Sequence, residues 1–172
     1  MKILKTPFKD LLVIKNEKFT DNRGYFREVL VEKNLKKKFP FNVVSVSRKN
    51  VIRGLHYQKK NAQGKYISVI QGKILDVVVD IRKNSKTYGQ YVCEILSNSN
   101  KKQLWIPPGY AHGFMALDDS TEIVYKVTNF YSKAHERTIN YKDPLINIRW
   151  PEFNQDYILS QKDLNAPFLE RI

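Results

Sequence analysis

A chain of 172 residues, 42% of them apolar and 12% aromatic, has room for one domain with a sizeable core and the composition of a globular protein rather than a disordered one. It contains no run of the ~18 apolar residues that a membrane-spanning helix needs. The net charge of +13 comes mostly from lysines scattered along the chain, which reads as a solvated basic surface rather than a nucleic-acid interface. A basic pocket for a phosphate-bearing small molecule stays compatible with that charge.

In chain order, the start "MKILKTPFKD" lacks the long apolar stretch of a signal peptide. "DLLVIKNEKF" is the first strand-like run, and "DNRG" the first turn signal. "VLVEKNLKKKF", near residues 29–39, is the one good helical candidate. Strand-like runs then recur as "FNVVSVS", "VIRGLHYQ", "KYISVIQGKILDVVVDIR", "QYVCEILS", "KQLWIPP", "AHGFMAL" and "TEIVYKVTNFY". "QGK", "SKTYGQ", "PPGY" and "LDDS" separate them. The tail "LSQKDLNAPFLERI" reads as a short irregular or helical closing segment. Many short strands with few helices predict a mainly β fold, a barrel or sandwich, over a single domain 1–172. The apolar stretch in "KILDVVVDIR" predicts a strand buried on both faces.

The single cysteine, Cys93, excludes an internal disulfide and fits a reducing cytoplasm. Its place inside "QYVCEIL" predicts a buried, inert thiol. The histidines are His56, His112 and His135. A lone His in apolar surroundings is more often a satisfied core residue than a reactive one. Two of them, His56 and His112, each close to a Gly and to aromatics, point instead to a site. No H-x-H, H-x-x-x-H or C-x-x-C spacing accompanies them, so a metal-dependent barrel has little support. What remains is acid–base chemistry: a base near neutral pKa, a proton-returning acid and a cation for a developing oxyanion. His56, Lys65, Tyr125 and Asp163 are of the right types, although spacing alone does not assemble them.

"VIRGLHYQ", "AQGKYISVIQGKILDVVVDIRKNSKTYGQ", "KKQLWIPPGYAHGFMAL" and "VYKVTNFYSKAHERTINYKDPLINIRWP" together resemble the dTDP-4-dehydrorhamnose 3,5-epimerase family, from "FTDNRGYF" to "LSQKDLNAP". The resemblance implies a cupin-like β-barrel of the jelly-roll type with a few short helices. It implies a homodimer exchanging N-terminal strands, and a nucleotide-diphosphate sugar as substrate. It implies no metal or redox cofactor, no nucleic acid and no membrane. Protons beside a C4 ketone would be removed at C3 and C5 and returned to the opposite face. On the matching positions, His56 falls on the base, Asp163 on its carboxylate partner, Lys65 on the residue holding the enolate oxygen and Tyr125 on the proton donor. Arg23 and Arg53 fall on pyrophosphate or sugar contacts, and Glu28, His112, Glu136 and Lys162 on further pocket positions. Arg27, Tyr88 and Tyr131 are pocket or packing residues, with Tyr131 able to stack on a ligand. Alternation would put Arg53 and His56 on opposite faces of a strand, so a bulge is expected at Gly54.

One stretch departs from the pattern. The family has Q-x-N-x-S upstream of R-G-L-H, and here the segment reads "VVSVSRKN", two residues shorter. Val43 then stands for the Gln and Ser45 for the Asn, with Ser47 retained. The substitution leaves open a single-carbon epimerase, or one acting on a GDP-, CDP- or UDP-linked sugar.

Overall fold

The structure is a computed structural model describing residues 1–30 and 32–170. In chain order the strands are β1 (Lys2–Lys5), β2 (Leu12–Lys15), β3 (Lys18–Asp21), β4 (Gly24–Arg27), β5 (Phe41–Ser47), β6 (Ile52–Gln58), β7 (Lys65–Gln71), β8 (Lys73–Asp80), β9 (Tyr91–Ser97), β10 (Lys102–Ile106), β11 (Tyr110–Ala116), β12 (Thr121–Val127) and β13 (Glu136–Thr138); the helices are α1 (Glu32–Leu35) and α2 (Gln161–Leu164). A six-stranded sheet runs β1-β2-β10-β7-β12-β5 and a five-stranded sheet β13-β6-β11-β8-β9, while β3 and β4 form a separate hairpin. The predicted mainly β, cupin-like architecture with a few short helices is what forms.

Side-chain alternation explains why so many strands read as unbroken apolar runs. On β7, Ile67 and Val69 face the other sheet and pack with Ile74, Val78, Leu96 and Phe114. Their neighbour Tyr66 points outward and packs with Trp105 and Ile14 under Phe39. The outer face of the five-stranded sheet is covered by the chain beyond β12, through Ile139, Tyr141, Ile146 and Trp150 against Leu55, Val77 and Met115. Both faces of the central strands are therefore dry, and β8 is buried over most of its length as expected.

The same parity fixes what points into the barrel. On β7 and β12 the odd positions face inward, which takes Lys65 and Tyr125 inside with Ile67 and Ile123. β5 is an edge strand paired to β12 with Val43 opposite Tyr125 and Phe41 opposite Val127, so its odd residues share that inner face.

Two expectations are corrected. The helix expected near 29–39 is only the single turn α1, among the described residues of that segment. Lys36 leaves helical geometry with a φ of 51°, and the run of adjacent lysines gives no support to further turns. Cys93 is exposed, not buried. β9 packs one face on the core, so the run "YVCEIL" alternates: Leu96 is buried while Cys93 and Ile95 face out.

Candidate active site

Arg53 and His56 lie three apart on β6, yet both line one cleft of about 650 Å³ between the sheets. The pairing with β11 shows how. Arg53 is opposite Phe114 and His56 opposite His112, so three steps on β6 match two on β11. This is the bulge expected around Gly54. Gly54 has a φ of +131°, and a Cβ there would sit 2.5 Å from Gly113 Cα and 2.9 Å from the His112 carbonyl oxygen. Only glycine fits this backbone approach.

The closing segment brings the carboxylate. Ile158 makes a parallel bridge to Val51, and Ser160 then caps α2 by accepting from the Asp163 N–H. That turn aims the buried Asp163 at β6. The His56 Nε2 lies 2.6 Å from Asp163 Oδ1, and the Gly54 N–H donates to Oδ2 at 3.4 Å. Burial works against the charge on Asp163, but the His56 bond and charge, the Gly54 amide and the Ser160 hydroxyl outweigh it and hold the carboxyl below its usual range. An ionised Asp163 takes the Nε2 proton as a hydrogen bond, leaving the Nδ1 lone pair of His56 free to act as a base.

Lys65 donates from Nζ to the His56 carbonyl at 3.3 Å. Desolvation pulls its ammonium down to about 8, opposed by the negative charges of Asp76 and Glu136. Tyr125 lines the same cleft, and burial raises its phenol well above the ordinary value, so it remains a donor. Its hydroxyl accepts from Ser45 at 3.4 Å. Arg53 is held by Ser47 and by the Val46 carbonyl, each at 3.1 Å. Lys162 reaches the rim, where it donates to Glu136 at 3.0 Å; Tyr131 donates to the other oxygen of Glu136 at 3.0 Å.

A second His–carboxylate pair forms the floor. His112 Nε2 lies 2.9 Å from Asp76 Oδ2, and both side chains are buried. Desolvation lowers the His112 pKa against the pull of Asp76, which keeps the ring neutral. Asp76 was not singled out from the sequence. The available signal was a carboxylate inside "KILDVVVDIR" at the parity of the inward-facing Ile74 and Val78.

His56, Lys65, Arg53, His112, Tyr125, Lys162 and Asp163 thus converge, with Ser45 and Ser47 behind them and Glu136 on the rim. Arg23 and Glu28 do not. Arg23 sits at the tip of the β3–β4 hairpin, where it pairs with Asp21, and Glu28 is an exposed residue after it. Among the described residues, none of the hairpin lines the cleft. Arg27 instead donates to the Val69 carbonyl and Tyr88 to that of Glu170, both packing roles. Among the described residues no three His, Cys, Asp or Glu side chains gather as a metal site would require.

The two-sheet barrel is a cupin-like fold, and one cleft of it gathers an imidazole–carboxylate pair, a cation and a phenol. The sequence profile of the dTDP-4-dehydrorhamnose 3,5-epimerase family matches residues 5–171, and the chain belongs to that family. It is accordingly an isomerase. The dTDP-4-dehydrorhamnose 3,5-epimerase of Shigella flexneri is 46% identical over 96% of this chain and 94% of its own. A Legionella pneumophila dTDP-6-deoxy-D-glucose-3,5-epimerase, solved with dTDP-4-keto-L-rhamnose, superposes with a TM-score of 0.94 at 41% identity, over 98% of this chain and 92% of that one. A 3'-monoepimerase from Streptomyces bikiniensis, solved with dTDP-quinovose, gives 0.90 at 29% identity over 95% and 86%.

Proposed function

We propose that this single-domain protein epimerises a dTDP-linked 4-keto-6-deoxy sugar at C3 and C5. The observation that carries the reading is the convergence of His56–Asp163, Lys65 and Tyr125 in one cleft. His56 Nδ1 takes the proton from the carbon beside the ketone. The electron pair left behind spreads onto the ketone oxygen, where the Lys65 ammonium stabilises it. Tyr125 delivers a proton to the opposite face of that carbon, and the two side chains regain their starting protonation through solvent. Arg53 and Lys162 supply positive charge for the diphosphate.

The working form is a homodimer in the cytoplasm. The hairpin exposes Phe19, Tyr25 and Phe26, at 58%, 52% and 68%, and the outer face of edge strand β5 exposes Val44 and Val46. A second copy covering these surfaces would bury apolar area and could carry Arg23 and Glu28 to a neighbouring cleft. The test is incubation with the dTDP-linked 4-keto-6-deoxy sugar in deuterated water, with and without a chelator. Deuterium at both C3 and C5, unaffected by the chelator, is expected. Label at one carbon makes it a single-carbon epimerase, and label only in a GDP-, CDP- or UDP-linked sugar changes the nucleotide.

A further inference from the structure

The carboxylate behind the proposed base sits in a turn with little apolar anchorage. Of residues 161–168 only Asp163 is buried, while Leu164 and Phe168 are 41% and 56% exposed. Yet Asp163 Oδ1 is held 2.6 Å from His56 Nε2. Before α2 the chain is pinned by the backbone bonds of Ile158 to Asn50 and Ile52, each at 3.0 Å. After Asp163, among the described residues, the hydrogen bonds tying 164–168 to the body of the barrel all come from Asn140. Its Nδ2 donates to the Leu164 carbonyl at 3.2 Å and to the Ala166 carbonyl at 3.0 Å, and its backbone N–H donates to the Pro167 carbonyl at 2.9 Å. The Lys142 N–H donates to its Oδ1 at 2.9 Å, which fixes the way the amide faces.

Asn140 is in turn tied to His56. Thr138 lies opposite His56 in the β13–β6 pairing, and Ile139 exchanges backbone bonds with Leu55 at 2.9 and 3.1 Å. Leu55 stands between Gly54 and His56, the two residues that meet the Asp163 carboxylate. A closed loop results. It runs from His56 and Leu55 across to Ile139, through Asn140 to Leu164, and through Asp163 back to His56. Lys162 and Glu136 make a second tie between α2 and β13, but the Lys162 side chain is half exposed, and ion pairs of that kind hold geometry weakly. We propose that Asn140 is a positioning residue for the base: its amide holds the α2 turn against the end of β13, so that Asp163 meets His56 Nε2. The inference rests on His56–Asp163 being the base of the proposed reaction. A displacement of ~1 Å in such a constellation costs about 10²-fold in rate, so a side chain outside the cleft can govern proton abstraction.

The experiment measures deuterium wash-in and dTDP binding for the full chain, for Asn140→Ala and for Asn140→Asp, each also in an Asp163→Asn background, with thermal unfolding as the control for folding. Asn140→Asp keeps the acceptor for Lys142 and loses both donors, so it carries the test if the alanine variant unfolds. Each single change should lower kcat for exchange by about 10–100-fold, with dTDP affinity within about threefold of wild type. In the Asp163→Asn background the same changes should cost less than about threefold, because the carboxylate through which Asn140 acts is already gone. A folded variant exchanging within about threefold of wild type, or an equal loss in both backgrounds, overturns the proposal. The proton NMR signal of His56 Nε2–H gives a readout independent of turnover. The bond to Asp163 protects that proton from exchange with water, so its signal should broaden or vanish in both Asn140 variants. A chain that labels no 4-keto sugar yet loses this signal in the variants keeps the role of Asn140 and loses the proposed reaction. A signal undiminished in the variants overturns that role.

Discussion

Asp163→Asn is the most incisive change at the proposed base. It preserves the size of the side chain and removes its charge. Two effects follow from the geometry. First, one oxygen of Asp163 faces His56 Nε2 at 2.6 Å while the other faces the Gly54 N–H. An asparagine has only one acceptor for these two donors. If its oxygen stays with Gly54, its NH₂ meets Nε2 and forces the ring proton onto Nδ1, occupying the lone pair the base needs. Second, the imidazolium formed on proton uptake loses its counter-charge. At charge separations near 4 Å and an effective dielectric of about 20, that interaction is about 4 kcal/mol, or roughly 10³ in rate. A loss of ~10²–10⁴ in kcat is therefore expected, with little change in nucleotide affinity. Deuterium wash-in followed by mass spectrometry measures it directly, because each exchange event reports one abstraction. A folded Asp163→Asn enzyme exchanging within about tenfold of wild type would refute the argument and leave His56 without its assigned partner.

Tyr125→Phe removes the acid and its bond to Ser45 but leaves the base, so solvent deuterium should still enter the first carbon while formation of inverted product falls by ~10²–10⁴; normal product formation would pass the role to water or another acid. Gly54→Ala places a Cβ against the Gly113 backbone at a φ of +131°, and should lower stability by about 2 kcal/mol or more in thermal unfolding; an unchanged melting temperature would contradict the close packing of β6 on β11.

Much of this arrangement was legible in the sequence because parity carries information. Strand periodicity places Lys65 and Tyr125 inside once β7 and β12 are recognised, and the spacing of Arg53 and His56 demands a bulge that Gly54 supplies. Asp163 is of the right type in the sequence, but its pairing with His56, 107 residues away in the chain, was legible only through the resemblance, since the Val51–Ile158 bridge brings the two together. Asp76 stayed hidden because it sits within the apolar run "KILDVVVDIR", which reads as core. Arg23 and Glu28 are a different case. Their residue types suit an anionic ligand, but the hairpin holding them makes its own sheet and gives the sequence no signal of which copy's cleft it serves. Cys93 misled because a run of apolar residues reads as burial on both faces, whereas β9 alternates, with Leu96 buried and Cys93 and Ile95 exposed.

His56 and His112 stand opposite each other across β6 and β11, and each has a carboxylate. Burial gives them different work. The His56 side chain keeps 26% exposure with a nitrogen free toward the cleft, while His112 keeps 4% and is neutral. The charge on Asp76 is then left for Lys65, which it supports against desolvation. A neutral His112 is part of that support, because a second cation there would push Lys65 further down. The sign of the pH dependence follows. In the proposed mechanism Lys65 must be charged to hold the enolate oxygen, and its pKa is lowered to about 8, so on the alkaline side turnover is lost as pH rises through that value. Asp76→Asn removes the opposing charge, so the Lys65 pKa falls and the alkaline limb of the kcat profile moves to lower pH. Lys65→Arg, which does not deprotonate in this range, abolishes that limb in whatever activity remains. A limb that stays near pH 8 in Asp76→Asn, or moves upward, would show that the floor carboxylate does not act on Lys65.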